Sequence, residues 1–215
     1  MKINRTSFFT ASVVLLLSSQ EVFSQTSIVT KKWEKYSIVS SKVDFFYPKN
    51  ILKLDSMNGQ YSFEHSVPFE HPNPCILEGS EVSTLSKIID LYFTLEVYKT
   101  GLWFVMNSKS SQYFMDNYVS GETLKLKEGF IDTIQIGKLK GYLISSGNEG
   151  CGVYQFVFPV RYDLTILLTK PYWPELEPGV IGEELYKKYS SLNGVILPSQ
   201  AENLFHKVVE SIEIK

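Results

Sequence analysis

Three histidines and two cysteines are the residues of this chain best suited to chemistry. His65 and His71 each follow a Phe-Glu pair, so Phe-Glu-His occurs twice. Two imidazoles and a carboxylate form a metal-ligand set. Six residues of extended strand span roughly 20 Å, however, far too long for one ion. Only a sharp turn at Pro68 brings His65 and His71 to one metal, and the preferred reading is a pair of solvated edge histidines. His206 stands between apolar neighbours and reads as a satisfied boundary histidine.

The two cysteines are Cys75 and Cys151. An even count in an exported chain suggests a disulfide between them. Closing that loop stabilises a fold by about 4–5 kcal/mol in the chain-entropy model. Two buried free thiols are the alternative. No third soft ligand stands near either one, and the close Cys-x-x-Cys pair of redox catalysts is absent.

Neither Gly-x-Ser-x-Gly nor His-Glu-x-x-His occurs. Glu175 with Glu177, and Glu183 with Glu184, are carboxylate pairs of the kind a hydrolase uses, or simply solvated charge. The run Gly147-Asn148-Glu149-Gly150-Cys151-Gly152 is rich in glycine. A phosphate loop opens a helix, but here an apolar strand follows and Glu149 repels an anion, so a hairpin loop is expected. No catalytic residue, cofactor or metal is assigned. Tyr172 and Trp173, held between Pro171 and Pro174, are the candidate contact surface, because stiffened rings bind at small entropic cost. Their packing back onto a sheet edge is the alternative. Trp103 and Phe104 pose the same question, and core packing is preferred there.

The segment that opens the chain reads as an export signal. Lys2 and Arg5 precede a short apolar run at residues 8–17, well under the ~20 residues that span a bilayer. Val22 and Ser24 suit cleavage before Gln25, giving a signal at 1–24, a loose leader at 25–32 and one domain at 33–215. The formal charge of −2 becomes −3 once Lys2, Arg5 and Glu21 are removed. That balance argues against an electrostatic nucleic-acid binder. No later segment is long and apolar enough to span a membrane.

The elements that must hold these groups are mostly strands. Residues 33–39 and 43–47 read as the first two, the second stopped by Pro48. Asn58-Gly59 reads as a tight hairpin centre. Three prolines between Pro68 and Pro74 place that stretch at an edge or in a loop. In residues 88–98, Ile89, Leu91, Phe93, Leu95 and Val97 point one way. Three apolar runs follow at 131–144, 153–158 and 164–168, read as consecutive antiparallel strands. Helices are expected at 110–119, at 183–192 and, most clearly, from Pro198 onward. There Ser199 and Glu202 fit a capping box and Leu204, Phe205, Val208, Val209 and Ile212 form one apolar face.

Three of these segments resemble the PsbP-like family, which includes a photosystem accessory protein and many exported bacterial proteins. Val43-Asp44-Phe45-Phe46-Tyr47-Pro48 is similar to its early strand ending in Tyr-Pro. Ile136-Gly137-Lys138-Leu139-Lys140-Gly141-Tyr142 is similar to its Gly-x-x-x-Gly-Tyr strand. Residues 205–214, with Ser211-Ile212, are similar to its closing helix. The resemblance implies an α+β fold, an antiparallel sheet sandwiched by helices (α/β/α), and carries no chemistry with it. The function expected is that of an exported, non-catalytic binding or accessory protein of the cell envelope, periplasmic or secreted, with a protein or small-molecule partner. An exported hydrolase using carboxylates or His65 and His71, and an envelope structural protein, are the alternatives.

Overall fold

The computed structural model describes residues 32–71, 86–109, 118–120, 123–148, 151–171 and 182–215. The export signal and most of the leader therefore lie outside the described residues, as do Cys75, Tyr172, Trp173, Glu175 and Glu177.

Strands β1 (Trp33–Ile38) and β2 (Val43–Pro48) pair antiparallel. Strands β3 (Lys53–Met57) and β4 (Gln60–His71) are joined at Asn58 and Gly59, with φ of 51° and 82°. Positive φ at both centres is the turn whose twist suits a two-residue hairpin. β5 (Ser86–Tyr98) follows and buries Leu91, Phe93 and Leu95. Beyond Glu64 the strand β4 has no pairing from β3, so Pro68 falls where β4 is an edge and its missing N–H costs little.

Helix α1 (Leu102–Lys109) comes before the stretch where a helix was expected. Residues 110–117 lie outside the described residues, and Val119 belongs to strand β6 (Tyr118–Ser120), paired with β7 (Thr123–Leu124). The expected strand at 131–144 is two strands, β8 (Ile131–Ile136) and β9 (Leu139–Asn148). Gly137, at φ 57°, makes the two-residue turn between them. β10 (Cys151–Arg161) and β11 (Leu164–Pro171) complete the run. The pairing of Cys151 with Asn148 confirms a hairpin there rather than a phosphate loop. Helices α2 (Glu183–Ser190) and α3 (Pro198–Glu210) precede a short β12 (Glu213–Ile214).

The main sheet has seven strands in the order β3-β4-β5-β11-β10-β9-β8, all antiparallel. A second sheet, β1-β2-β12, packs with α3 over one face. The α/β/α sandwich implied by the PsbP-like resemblance is thereby overturned. This is a sheet-dominated fold with three short helices among the described residues, not a sheet flanked by helical layers. The physical reason is that β1 and β2 are apolar on their inner face. Val43, Phe45 and Tyr47 are buried against the main sheet and fill space that a helical layer would need.

The aromatic residues answer the composition. Phe45 meets Phe63 edge-on at 5.5 Å, Phe63 stacks on Phe93 at 4.5 Å, and Phe93 meets Phe205 edge-on at 5.1 Å. This chain of rings ties the small sheet, the large sheet and α3 into one core. Ser211 fastens the end of α3 to β2, accepting the Phe46 N–H at 2.9 Å. The cap of α3 differs from the sequence reading. Leu197 is the capping residue, Pro198 opens the helix, and Gln200 Oε1 accepts the Leu197 N–H at 3.0 Å. Glu202 instead turns to Lys170 and to His206 Nε2 at 3.1 Å.

Candidate functional site

Two features stand out, and they lie on different elements. The first begins with a register shift. His65 pairs with Leu91 and Ser66 with Ile89, so Asp90 is left without a cross-strand partner. A bulge re-aims the side chain it carries. Asp90 is 3% exposed, and its carboxylate finds two donors from distant parts of the chain. His65 Nδ1 lies 2.5 Å from Oδ1, and the Ile196 N–H donates to Oδ2 at 2.7 Å. The carboxylate only accepts, so the proton of that imidazole contact sits on Nδ1. The Ile196 carbonyl in turn accepts the Tyr189 hydroxyl at 2.9 Å. Tyr189 is fully buried with Val67, and burial, then the negative Asp90, push its phenol above its usual range.

His65 is therefore a locked side chain rather than a solvated edge histidine, which corrects the sequence reading. A buried carboxylate that orients an imidazole is also the supporting half of a nucleophilic triad. That chemistry needs a nucleophile on Nε2, and His65 Nε2 makes no hydrogen bond among the described residues. Asp90 ties the segment between α2 and α3 to the sheet. His71 pairs with Ser86 at the far end of β4, beyond a second register shift between Val67 and Glu70. No group of three or more His, Cys, Asp or Glu that could hold a metal occurs among the described residues. Glu183 and Glu184 are exposed in the first turn of α2, where they complement the helix dipole. His206 is the boundary histidine expected, bonded to Glu202.

The second feature is α1. Leu102, Val105 and Met106 are buried against Ile131, Ile144, Val157 and Leu167. Trp103 and Phe104 face outward, 46% and 55% exposed. Core packing was the reading preferred from the sequence, and the structure reverses it. One buried face already serves the core, and two large rings remain on the other. Apolar residues on every side are expected of a helix enclosed by protein, yet here half the helix is open among the described residues. Val119, Leu126 and Phe130, in the segment after α1, are also exposed.

Across one face of β8, β9 and β10 lies an open groove of about 530 Å³ lined by Thr133, Gln135, Lys140, Tyr142 and Pro159. No helix among the described residues is long and apolar enough to cross a membrane.

No family model matches the sequence, and no curated protein matches it. Among solved structures the chain is similar to one from Bacteroides thetaiotaomicron, with a TM-score of 0.41 and 8% identity. The alignment covers 85% of this chain and 48% of that one, so this chain spans about half the length of that neighbour.

Proposed function

We propose that this chain is an exported, non-catalytic binding or accessory protein of the cell envelope, and that the outer face of α1 is its contact surface. The observation that carries the reading is the exposure of Trp103 and Phe104 on a helix whose opposite side is already buried. Adjacent large rings on a rigid helix supply contact area with little entropy to lose. The export signal at residues 1–24 supplies the compartment. Tyr172 and Trp173 keep their assignment as a second contact candidate. The chain leaves β11 at Pro171, at the end of the sheet where β10 begins.

A Cys75–Cys151 disulfide belongs to the same proposal. β4 ends at His71 on that same end of the sheet, three strands from Cys151.

The test is a photo-cross-linking side chain placed at position 103 or 104 and, as a control, at the exposed Lys207, with the protein produced in its own host. A discrete heavier adduct from the α1 positions alone is expected. Equal adducts from the control, or none from α1, remove the contact surface. Intact mass of the exported protein gives the start of the chain and shows whether two hydrogens are missing.

A further inference from the structure

Sheet edges are where β proteins are vulnerable, and the two edges of this sheet are treated differently. β3 carries Lys53 and Asp55, which pair at 2.5 Å across an exposed face. Charge, lysine above all, is one way natural edges are guarded. β8, Ile131-Asp132-Thr133-Ile134-Gln135-Ile136, has neither proline, lysine nor bulge. The backbone of Ile131 points away from β9, since both its N–H and its carbonyl bond Lys127 on the outer side, at 2.7 and 2.9 Å. By the two-residue period of a strand, Thr133 and Gln135 turn their backbone groups outward in the same way. Among the described residues no strand covers them.

Two charges frame this open edge. Asp132 is exposed near one end and Lys138 is exposed in the turn at the other. Neither makes an ion pair among the described residues, whereas Arg161 and Asp163, in the turn after β10, pair with each other. Opposite charges at the two ends of one edge are self-complementary under a twofold axis.

We propose that the β8 edge pairs with the β8 edge of a second copy of this chain. An axis at Gln135 sets its outward groups against those of Gln135 in the second copy and those of Thr133 against its Gly137, clear of Lys127 beside Ile131. It also brings Asp132 of each copy beside Lys138 of the other, twice per dimer. Directly opposed or diagonal charges across a strand pair stabilise it, and like charges oppose it. The occupant is a second copy rather than an unrelated strand because the charge pattern matches its own reversal. Six residues of edge bury less than the area of a standard stable interface, so the dimer is a weak one that grows with concentration. This edge is distinct from the outer face of α1, and either assignment survives failure of the other.

The experiment is sedimentation velocity of the mature chain from about 10 μM to about 1 mM, a range that spans weak association. Thr133→Pro removes an outward N–H without touching the bonds to β9, and it abolishes the dimer. Asp132→Lys and Lys138→Asp each weaken it roughly tenfold, and the double variant restores it, because both pairs are then reversed together. Circular dichroism shows each variant folded. A monomer at every concentration overturns the proposal. So does a dimer that tolerates Thr133→Pro, or single variants that the double variant fails to rescue.

Discussion

Asp90 Oδ1 sits 2.5 Å from His65 Nδ1 because one residue of β5 has no partner in β4. The bulge turns a carboxylate out of the ladder and under the segment between α2 and α3, where Ile196 N–H completes its coordination. One side chain thus joins two strands to a backbone amide more than a hundred residues away.

Removing that side chain leaves the buried Ile196 N–H and the part-buried His65 Nδ1–H unpaired. Asp90→Ala is expected to destabilise the fold by about 3 kcal/mol, within the range for breaking a buried charged network. Urea denaturation gives the magnitude, and hydrogen exchange at the Ile196 amide shows whether local protection goes with it. A loss under about 0.5 kcal/mol would mean that the carboxylate holds nothing in place.

The second buried carboxylate supplies a pH dependence. Asp44 lies in β2 with Lys215 Nζ at 2.6 Å and Lys35 Nζ at 2.8 Å, and these ammonium groups hold its carboxyl well below the usual value of 3.8. In acid the unfolded chain takes up this proton before the folded one does. Stability from Asp44 is therefore fully present above its unfolded value and is lost as the pH falls below it. Melting temperature should drop as the pH is lowered from 5 toward 2. Asp44→Asn should melt lower at neutral pH and respond less to acid, with the two curves converging at the acid end. Parallel curves would show that Asp44 is not the group concerned.

Gly141 shows how much backbone proximity the β9–β10 pair demands. A Cβ built there falls 2.0 Å from the Val157 carbonyl oxygen and 3.0 Å from Phe158 Cα. Both are main-chain atoms of a central strand and cannot rotate away. Gly141→Ala should cost about 3 kcal/mol or more, above the usual price of overpacking. Gly137→Ala, whose Cβ would meet the side chain and Cα of Glu210 at 3.3 Å, should cost less. Thermal melts of the two variants rank them, and the reverse order would refute the close approach.

Some of this was legible from the sequence. Asn58-Gly59, the alternation through Leu91, Phe93 and Leu95, and the apolar face of α3 are local patterns with local causes. The Gly137 turn was missed because one glycine and one lysine interrupt an apolar run only briefly. α1 was missed because Trp103 and Phe104, on its outer face, blur its periodicity, while the helix expected at 110–119 lies outside the described residues except for Tyr118 and Val119, which belong to β6. The Asp90–His65 contact had no sequence signal at all. It depends on a register shift and on an amide brought in by the last third of the chain. The candidate contact pair at Tyr172 and Trp173 lies outside the described residues.

Thr94 offers a test of burial without compensation. It is 5% exposed in β5, and its hydroxyl has no hydrogen-bond partner among the described residues. Thr94→Val keeps the shape and removes the stranded group. Stability is expected to rise by about 1 kcal/mol. A fall of that size in chemical denaturation would show that the hydroxyl has found a partner.

The most direct measurement is chemical denaturation of the Trp103→Ser/Phe104→Ser double variant beside Met106→Ala. If the outer face of α1 exists to meet a partner, losing both rings changes stability by no more than about 1 kcal/mol, as at ordinary surface positions. Met106→Ala, on the buried face, then costs about 2–5 kcal/mol. A loss of about 3 kcal/mol or more in the double variant would contradict the account, because the rings would then be holding the fold together.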